Sequence, residues 1–186
     1  METLLQPPRT MMEVFNMLPE GTLAELIDNK LFISPSPLSI HQKLLYKIAS
    51  KLFEKIESQN EGEVIIAPFD VKFDLTRNAV QPDILVILKS NANQIKDGRY
   101  VGVPDLIVEI LSEGNKDHDL IIKKDLYEKF GVKEYWIVDP ETKLALVFSL
   151  REKTYQKIGD SIGKIDSHLL KAEFSFWFGY RYKKNQ

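Results

Sequence analysis

A chain of 186 residues with 44% hydrophobic and 28% charged side chains suits one globular domain, and a net charge of −2 argues against a protein that coats nucleic acid through a strongly basic surface. Cysteine is absent, which excludes thiolate nucleophiles, disulfides and cysteine-ligated metal sites. The N-terminus lacks a signal-peptide pattern and no segment approaches the roughly 18 apolar residues of a membrane helix, so we expect a cytoplasmic protein without membrane contact.

The first predicted elements are a short helix and a hairpin. Residues 10–18 have the composition of a helix that stops before a proline. The apolar runs at 23–27 and 30–34 flank Asp28 and Asn29. Two turn-forming residues between two such runs are typical of a tight β-hairpin.

A longer amphipathic helix follows the hairpin. Ser39 and Gln42 have the spacing of a capping box, which marks a helix start. Apolar residues then recur at helical spacing, at Leu44, Leu45, Ile48, Leu52 and Ile56. This periodicity predicts a helix from about residue 39 to 59.

The rest of the chain alternates predicted strands with one helix. Strands are expected at 63–68, 69–75, 83–88, 106–111, 134–139, 144–150 and 154–158, with an edge strand at 171–178. A loop is expected at 91–102 and a helix at 117–130, with Gly131 as its C-terminal stop. We therefore expect an α/β fold in which a mixed central sheet is flanked by helices and carries additional hairpins, with residues 1–10 as a loose leader and 11–186 as one domain.

Glu109 is the unusual residue of the predicted strand at 106–111, because its neighbours are aliphatic. Ionised carboxylates are rarely buried without a counter-ion or a metal. Asp105 faces the same side but lies about 13 Å away along the strand, so these two carboxylates cannot share one ion. Asp83 begins the preceding buried strand and can meet Glu109 across an inter-strand spacing of about 4.8 Å. Oxygen ligands without a histidine cluster favour Mg²⁺ or Mn²⁺ over zinc.

The helix predicted at 117–130 offers a cation for this site. Asp119, Lys123 and Tyr127 are spaced by four residues and share one helical face. A short connection back over the sheet would bring Lys123 to the carboxylates. An ordinary surface ion pair between Asp119 and Lys123 is the alternative.

These residues resemble the PD-(D/E)XK nuclease superfamily, which has the restriction-endonuclease fold. The closer resemblance is to its Uma-two family of restriction-endonuclease-like proteins. The matching segments lie in order between about residues 24 and 140: AELIDNKLFISPSPLSIH, VQPDILVI, VPDLIVEILS, the Asp119–Lys123–Tyr127 spacing and GVKEYWIVDP. The chain departs from the family at 112–116, where the usual Ser-Pro-Ser-Thr-Arg is missing, and at the hairpin turn, where Asn29 replaces the usual glycine.

The resemblance implies a Mg²⁺-dependent (or Mn²⁺-dependent) endonuclease that hydrolyses phosphodiester bonds in nucleic acid, with DNA as the expected substrate. Its catalytic residues would be Asp83, Glu109, Lys123 and Glu25. Asp83 and Glu109 would hold the metal, with Glu25 as a further ligand directly or through water. Lys123 would replace the strand lysine of the parent motif, whose position is taken here by Leu111.

Two further residues are expected to touch the substrate. Tyr127 would position Lys123 or contact a phosphate, with simple packing as the alternative. His41 has the family's spacing near a helix N-terminus that could hold a phosphate, with an exposed helix histidine as the alternative. Because nucleases of this fold often dimerise so that two sites meet two strands, we also expect a homodimer.

The same residues allow two other interpretations. Glu109 could form a structural ion pair with a helix lysine, and Asp83 could bond backbone amides after its proline. The chain would then be a non-catalytic nuclease fold that serves as a binding or assembly module. A metal-dependent enzyme on a smaller phosphate ester is the third possibility, and a narrow closed pocket would favour it.

Overall fold

The computed structural model describes residues 7–96, 98–114 and 116–177. The α-helices in these ranges are α1 (Met11–Asn16), α2 (Ser39–Ile56) and α3 (Lys124–Phe130). A 3₁₀-helix spans Lys89–Gln94, and a π-helical turn at His118–Lys123 runs directly into α3. The strands in the same ranges are β1 (Ala24–Ile27), β2 (Lys30–Ile33), β3 (Gly62–Ile66), β4 (Val71–Lys72), β5 (Ala79–Val80), β6 (Ile84–Leu88), β7 (Ile95–Lys96), β8 (Arg99–Val101), β9 (Leu106–Ile110), β10 (Glu134–Val138), β11 (Leu144–Arg151), β12 (Thr154–Ile162), β13 (Lys164–Ser167) and β14 (Ala172–Ser175).

The strands form two large mixed sheets and one separate pair. The first sheet has the order β2-β1-β5-β4-β8-β7, the second has the order β12-β11-β10-β9-β6-β3, and β13 pairs with β14. In the second sheet β9 and β10 are parallel, and the π-helical turn and α3 connect them. The predicted α/β class with a mixed sheet, flanking helices and hairpins is confirmed, although two large sheets are present where one was expected.

The register of β6 against β9 sets the geometry of the candidate site. These strands are antiparallel, and Ile84 pairs with Val108. Asp83 immediately precedes β6 and Glu109 immediately follows Val108, so the two carboxylates lie across from each other on neighbouring strands. On its other side β9 is parallel to β10, where Ile137 lies opposite Glu109.

Apolar side chains cover both faces of the second sheet. One face packs against α2, whose buried residues are Leu44, Leu45, Ile48, Leu52 and Ile56. The other face carries Ile107 and Ile137 and packs against α3 through Leu126 and Tyr127. Because side chains alternate along a strand, Glu109 shares this second face with Ile107. The carboxylate therefore lies between the sheet and α3.

Several predicted element ends are confirmed, and one is wrong. Asp28 and Asn29 have φ of 45° and 64°, which suits the predicted two-residue hairpin turn. Gly131 ends α3 with φ of 90°, a left-handed conformation that glycine adopts without steric cost. The capping box at Ser39 is wrong, because Ser39 is already helical and Leu38 holds the cap position without a side-chain hydrogen bond.

Local side-chain bonding and short strands account for the other differences. The strand predicted at 69–75 shrinks to β4, because Asp74 accepts the backbone N–H groups of Thr76, Arg77 and Asn78 and so closes a turn. The loop predicted at 91–102 contains part of the 3₁₀-helix and the hairpin β7–β8. Within the predicted strand at 171–178, β14 pairs with β13 in the separate two-stranded sheet, and residue 178 lies outside the described residues. Across the described ranges, no helix is both long enough and apolar enough to cross a membrane.

Candidate active site

Asp83 lies where β6, β9 and α2 meet. Its Oδ2 atom accepts the backbone N–H of Ile110 at 2.7 Å and lies 3.1 Å from Nε2 of His41. Because a carboxylate oxygen accepts hydrogen bonds, Nε2 of His41 is the donor of this contact in the tautomer, or the imidazolium, that carries a proton on Nε2. Oδ1 of Asp83 has no hydrogen-bond donor among the described residues, and the side chain keeps 16% of its surface exposed. One oxygen is thus held by the protein and the other is open.

Glu109 has the same division between a held oxygen and an open one. Its Oε1 atom accepts hydrogen bonds from Nζ of Lys123 at 3.0 Å and from the hydroxyl of Tyr127 at 2.7 Å. Oε2 receives no hydrogen bond from any residue in the described ranges. Glu109 is only 3% exposed and Tyr127 is fully buried, so the phenol holds the carboxylate from inside the protein.

Lys123 lies at the centre of the cluster. Its Nζ atom is 2.9 Å from Oε1 of Glu25, 3.0 Å from Oε1 of Glu109 and 3.4 Å from Oδ1 of Asp119. All four side chains are buried. The interpretation of Asp119 and Lys123 as an ordinary surface pair is therefore wrong, because both face the sheet. The π-helical turn that carries them has extra residues per turn, and such turns are frequent at functional sites.

Glu25 reaches the cluster from β1 of the first sheet. Its Oε1 atom accepts the backbone N–H of Gln81 at 3.0 Å in addition to the contact with Lys123. Its Oε2 atom lies 3.0 Å from Nε2 of His118. Both oxygens of Glu25 are thus engaged by protein groups, unlike those of Asp83 and Glu109. The structure places Glu25 beside the predicted metal ligands and links it to Glu109 through Lys123.

Burial raises the pKa of Glu109 well above its usual value, and the charges of Asp119, Asp83 and Glu25 add to this against the opposing charge of Lys123. Burial also raises the pKa of Asp119, and the like charges of Glu25 and Asp83 add to this against the opposing charge of Lys123. Glu25, Glu109 and Asp119 therefore crowd one buried region around a single lysine. A cation added to this region would favour the ionised forms of Glu109 and Asp119.

The remaining charge of the cluster resides on Glu25 and Lys123. Burial acts to raise the pKa of Glu25, but the charge of Lys123 and the hydrogen bond from His118 lower it overall. Burial acts to lower the pKa of Lys123, but Glu109, Glu25 and Asp119 raise it well above its usual value. Lys123 is therefore a permanent cation at neutral pH, with Glu25 as its ionised partner.

Two histidines lie at the edges of the site. His41 is 7% exposed, so its interpretation as an exposed helix histidine is wrong. Burial acts to lower its pKa, but the hydrogen bond and charge of Asp83 raise it overall. Its Nδ1 atom is the one buried side-chain polar atom without a hydrogen-bond partner in the described part of the chain. His118 was missed by the sequence reasoning, and its ring packs against Phe32 at a centroid distance of 4.7 Å.

Asp105 has a structural position rather than a place in the cluster. It is fully buried, its Oδ2 atom accepts the backbone N–H of Leu88 at 2.8 Å, and its Oδ1 atom lies 2.6 Å from Nζ of Lys133. These contacts tie the start of β9 to the end of β6. Asp105 and Glu109 therefore contact different residues, which agrees with their predicted separation along the strand.

The donor set fits a hard divalent cation held by few protein ligands. In the ranges described, no three histidine or acidic side chains converge closely enough to form a complete metal cage. Mg²⁺ is commonly held by one or two carboxylates together with waters and substrate phosphates. Asp83 and Glu109 each have one oxygen that no described donor occupies. They are the residues that could hold such an ion.

The sequence profile of the family Uma2, described as "Putative restriction endonuclease", matches residues 12–169. The chain belongs to the Uma2 family. The resemblance on which the sequence argument depended is thereby confirmed. No curated protein matches this Uma2 chain.

Two solved structures show how this Uma2 fold relates to known ones. A crystal structure of "a putative nuclease belonging to DUF820" from Anabaena variabilis ATCC 29413 is 18% identical, covers 91% of this chain and 96% of its own, and superposes with a TM-score of 0.73. The type IIG restriction endonuclease BpuSI is 13% identical over 69% of this chain and 14% of its own, with a TM-score of 0.39. The first likeness confirms the restriction-endonuclease-like fold. Uma2 membership and this fold together indicate a restriction-endonuclease-like nuclease.

Proposed function

We propose that this Uma2 protein is a Mg²⁺-dependent or Mn²⁺-dependent endonuclease that hydrolyses phosphodiester bonds in nucleic acid, with DNA as the expected substrate. The observation that carries the proposal is the pair Asp83 and Glu109, which face each other across β6 and β9 with one open oxygen each. Lys123 supplies a cation at the same place. A divalent ion held by two carboxylates, with a lysine beside it, can supply the activated water and the charge stabilisation for phosphodiester hydrolysis.

Asp83 and Glu109 would hold the ion. The bound ion would polarise the scissile phosphate and lower the pKa of an attacking water. Lys123 would stabilise negative charge that develops on the phosphate oxygens, or would orient the water through its ammonium group. It is unsuited to act as the general base, because the surrounding carboxylates raise its pKa well above the usual value.

The surrounding side chains would position Lys123 and Glu109. Glu25 holds the ammonium, and His118 and the backbone N–H of Gln81 hold Glu25. The role of Glu25 as a metal ligand stays a prediction, and its two engaged oxygens favour the route through water. Tyr127 contacts Glu109 from inside the core, which favours its positioning role over direct phosphate contact.

His41 would act through Oδ2 of Asp83, the oxygen that the protein holds. It was predicted to bind substrate, and that role stays a prediction. Its contact with Asp83 Oδ2 fixes one carboxylate oxygen and leaves Oδ1 for an ion. Its unpartnered Nδ1 atom offers a further polar group beside the site.

The second candidate is the non-catalytic binding or assembly module. It is favoured by one observation, the position of Lys123 Nζ within 3.4 Å of three carboxylates. Such an ammonium can neutralise buried carboxylates without any metal. A structural ion pair does not account for the open oxygen of Asp83, which lies across from Glu109 and outside the lysine's contacts.

Calorimetric titration with Mg²⁺ and Mn²⁺ separates the two candidates. We expect binding to the wild type, loss of binding in Glu109→Gln, and unchanged binding in the control Glu63→Gln, which alters an exposed carboxylate on β3. The titration is repeated with a DNA oligonucleotide present, because phosphate oxygens complete weak sites. Absence of binding under both conditions would overturn the metal-dependent nuclease in favour of the non-catalytic candidate, and binding that survives Glu109→Gln would place the ion away from Glu109.

Cleavage assays then define the substrate. Single-stranded and duplex DNA and RNA are incubated with Mg²⁺, and the variants Asp83→Asn and Glu109→Gln are expected to have no turnover while Glu63→Gln retains it. The homodimer is also a prediction, and sedimentation equilibrium with and without oligonucleotide tests it. A monomer under both conditions would contradict it.

A further inference from the structure

A cavity of about 580 Å³ lies next to the candidate site and has no place in the chemistry above. It is formed by the segment between α1 and β1, the loop after β3, and the start of β8. Cavities of about 300–1,000 Å³ are the size that proteins use for small molecules and parts of larger ligands.

The cavity and the site meet at Gln81. Ala24 lines the cavity, while Glu25, the next residue of β1, faces the opposite side of that strand and belongs to the carboxylate cluster. Gln81 also lines the cavity, and its backbone N–H donates to Oε1 of Glu25 at 3.0 Å. Gln81 precedes Asp83 by two residues, which places their Cα atoms at most about 7 Å apart. A group that occupied the cavity would therefore be a close neighbour of a phosphate held at Asp83.

The cavity combines apolar walls with fixed polar groups. Phe15, Phe69 and Pro68 contribute apolar surface. The amide nitrogen of Gln81 donates to Oδ1 of Asp70 at 2.9 Å and to the carbonyl of Thr22 at 3.1 Å, which fixes the amide and leaves its oxygen without a described donor. The orientation of this acceptor is therefore set before any ligand arrives.

Arg99 supplies the complementary donors. Its Nε atom donates to Oδ2 of Asp70 at 3.0 Å, and its terminal nitrogens have no acceptor among the residues described. The side chain is 46% exposed. The free guanidinium donors and the fixed amide acceptor can pair with the edge of a heteroaromatic ring, and Phe69 and Pro68 offer apolar surface to its face within a lining that also carries Glu20 and Asp70.

We propose that this cavity receives an unpaired nucleobase of the nucleotide next to the scissile phosphodiester. The proposal rests on the proposed function and narrows its substrate class. A base that is stacked and paired inside a duplex cannot enter a cavity of this kind, so it must come from a single strand or be turned out of the helix. The substrate is therefore nucleic acid with an unpaired nucleotide at the cleavage site.

Binding to two fluorescent strands tests this proposal without any cleavage. One probe is a single-stranded DNA oligonucleotide, and the other is an abasic strand of the same length and charge. Both are titrated by anisotropy against metal-free protein, so the readout does not depend on catalysis. Arg99→Gln removes the guanidinium, Phe69→Leu removes the aromatic wall, and the control Arg77→Gln removes an exposed arginine outside the cavity.

We expect Arg99→Gln to weaken binding of the normal strand at least about tenfold and Arg77→Gln to change it less than about twofold. Phe69→Leu should weaken it by several-fold, and wild-type protein should bind the abasic strand as weakly as Arg99→Gln binds the normal one. Equal affinity of the wild type for both strands would overturn the proposal. So would an Arg99→Gln variant that loses affinity for both strands alike, because Arg99 would then contact a phosphate.

The outcome is separable from the test of the proposed function. If Glu109→Gln loses metal binding but the affinity for oligonucleotides does not depend on bases, the proposed nuclease function stands and the base-pocket proposal fails. If oligonucleotide binding depends on bases and on Arg99 but the protein neither binds metal nor cleaves, the base-pocket proposal stands and the protein is a non-catalytic module. Absence of binding to either strand would overturn the pocket proposal.

Discussion

Nζ of Lys123 lies 3.0 Å from Oε1 of Glu109, although the two residues are fourteen positions apart and belong to different elements. The strand position two residues after Glu109 is Leu111, which is buried in the apolar core. The cation therefore reaches the carboxylate from the π-helical turn before α3. The same oxygen also accepts the hydroxyl of Tyr127, one helical turn further on. The helix thus holds Glu109 through two side chains.

Lys123→Met should destabilise the metal-free protein strongly. The substitution leaves Glu25, Glu109 and Asp119 without the ammonium between them, and removal of one partner from a buried ion pair costs about 3–5 kcal/mol. Urea unfolding measures this loss in the free energy of unfolding. Mg²⁺ should restore part of it, so the rise in Tm on adding Mg²⁺ should be larger in this variant than in the wild type.

The matched control is Lys129→Met on α3. The side chain of Lys129 is 61% exposed and pairs with an exposed Asp28 at 3.5 Å. Exposed pairs contribute about 0–1 kcal/mol, so this variant should unfold close to the wild type. Equal losses in the two variants would show that Lys123 does not neutralise the carboxylates.

The stability of the metal-free protein should depend on the ionisation of Glu109. Its pKa in the folded protein is raised, so the folded state retains a proton that the unfolded state releases. This stabilisation is fully present below the usual glutamate pKa of about 4.3 and is lost as pH rises through the raised value. The side chain at position 109 of the variant Glu109→Gln cannot ionise. The free energy of unfolding of the variant minus that of the wild type should therefore increase as pH rises.

Urea unfolding of both proteins over a range of pH measures that difference. Asp119 and Glu25 remain in both proteins, so the difference reports the ionisation of Glu109 together with its coupling to these two carboxylates. Glu63→Gln, which removes an exposed carboxylate outside the cluster, provides the reference variant. A difference that stays constant or falls with rising pH would contradict the raised pKa.

Tyr127→Phe should weaken metal binding as well as stability. Its hydroxyl donates to Glu109 at 2.7 Å, and loss of a buried hydrogen bond costs about 1–3 kcal/mol. Loss of a group that orients a metal ligand typically costs about 10–100-fold in affinity. Tyr155→Phe is the control, because its buried hydroxyl donates to the carbonyl of Val132 at 2.9 Å. Both variants should lose stability, and calorimetry should show weaker Mg²⁺ binding in Tyr127→Phe alone.

His41 should report on the charge of Asp83. The hydrogen bond and charge of Asp83 raise the pKa of His41, so Asp83→Asn should lower it, and Mg²⁺ bound at Asp83 should lower it in the wild type. NMR titration of the imidazole signals measures this shift. The exposed His168 serves as an internal reference. A His41 pKa that Mg²⁺ leaves unchanged, in protein that binds the ion by calorimetry, would place the ion away from Asp83.

The facing of Asp83 and Glu109 could be predicted from the sequence, because strand alternation and inter-strand spacing are general properties of sheets. The approach of Lys123 and Tyr127 to Glu109 could also be predicted, because residues four apart share a helical face. Both relationships depend on spacing within one element or between neighbouring strands, so the local periodicity of the sequence is sufficient to predict them.

The contacts of His118 and His41 could not be predicted in this way. The place of His118 beside Glu25 depends on a π-helical turn, and no residue pattern in the chain marks such a turn. The burial of His41 depends on how the start of α2 meets the start of β6. The wall that Gln81 shares between the site and the cavity likewise depends on the first sheet packing beside the second. These are properties of tertiary packing rather than of local sequence.

The buried cluster around Lys123 also has a consequence for protein engineering. Replacement of a whole buried ion-pair network by well-packed apolar residues is often neutral or stabilising by about 1–4 kcal/mol. A library selected only for survival after heating would therefore enrich apolar residues at positions 25, 109, 119 and 123 together. Such survivors would keep the fold and lose Glu109 with its open oxygen. Heat tolerance and divalent-ion binding would have to be selected in the same round to improve this protein without erasing its site.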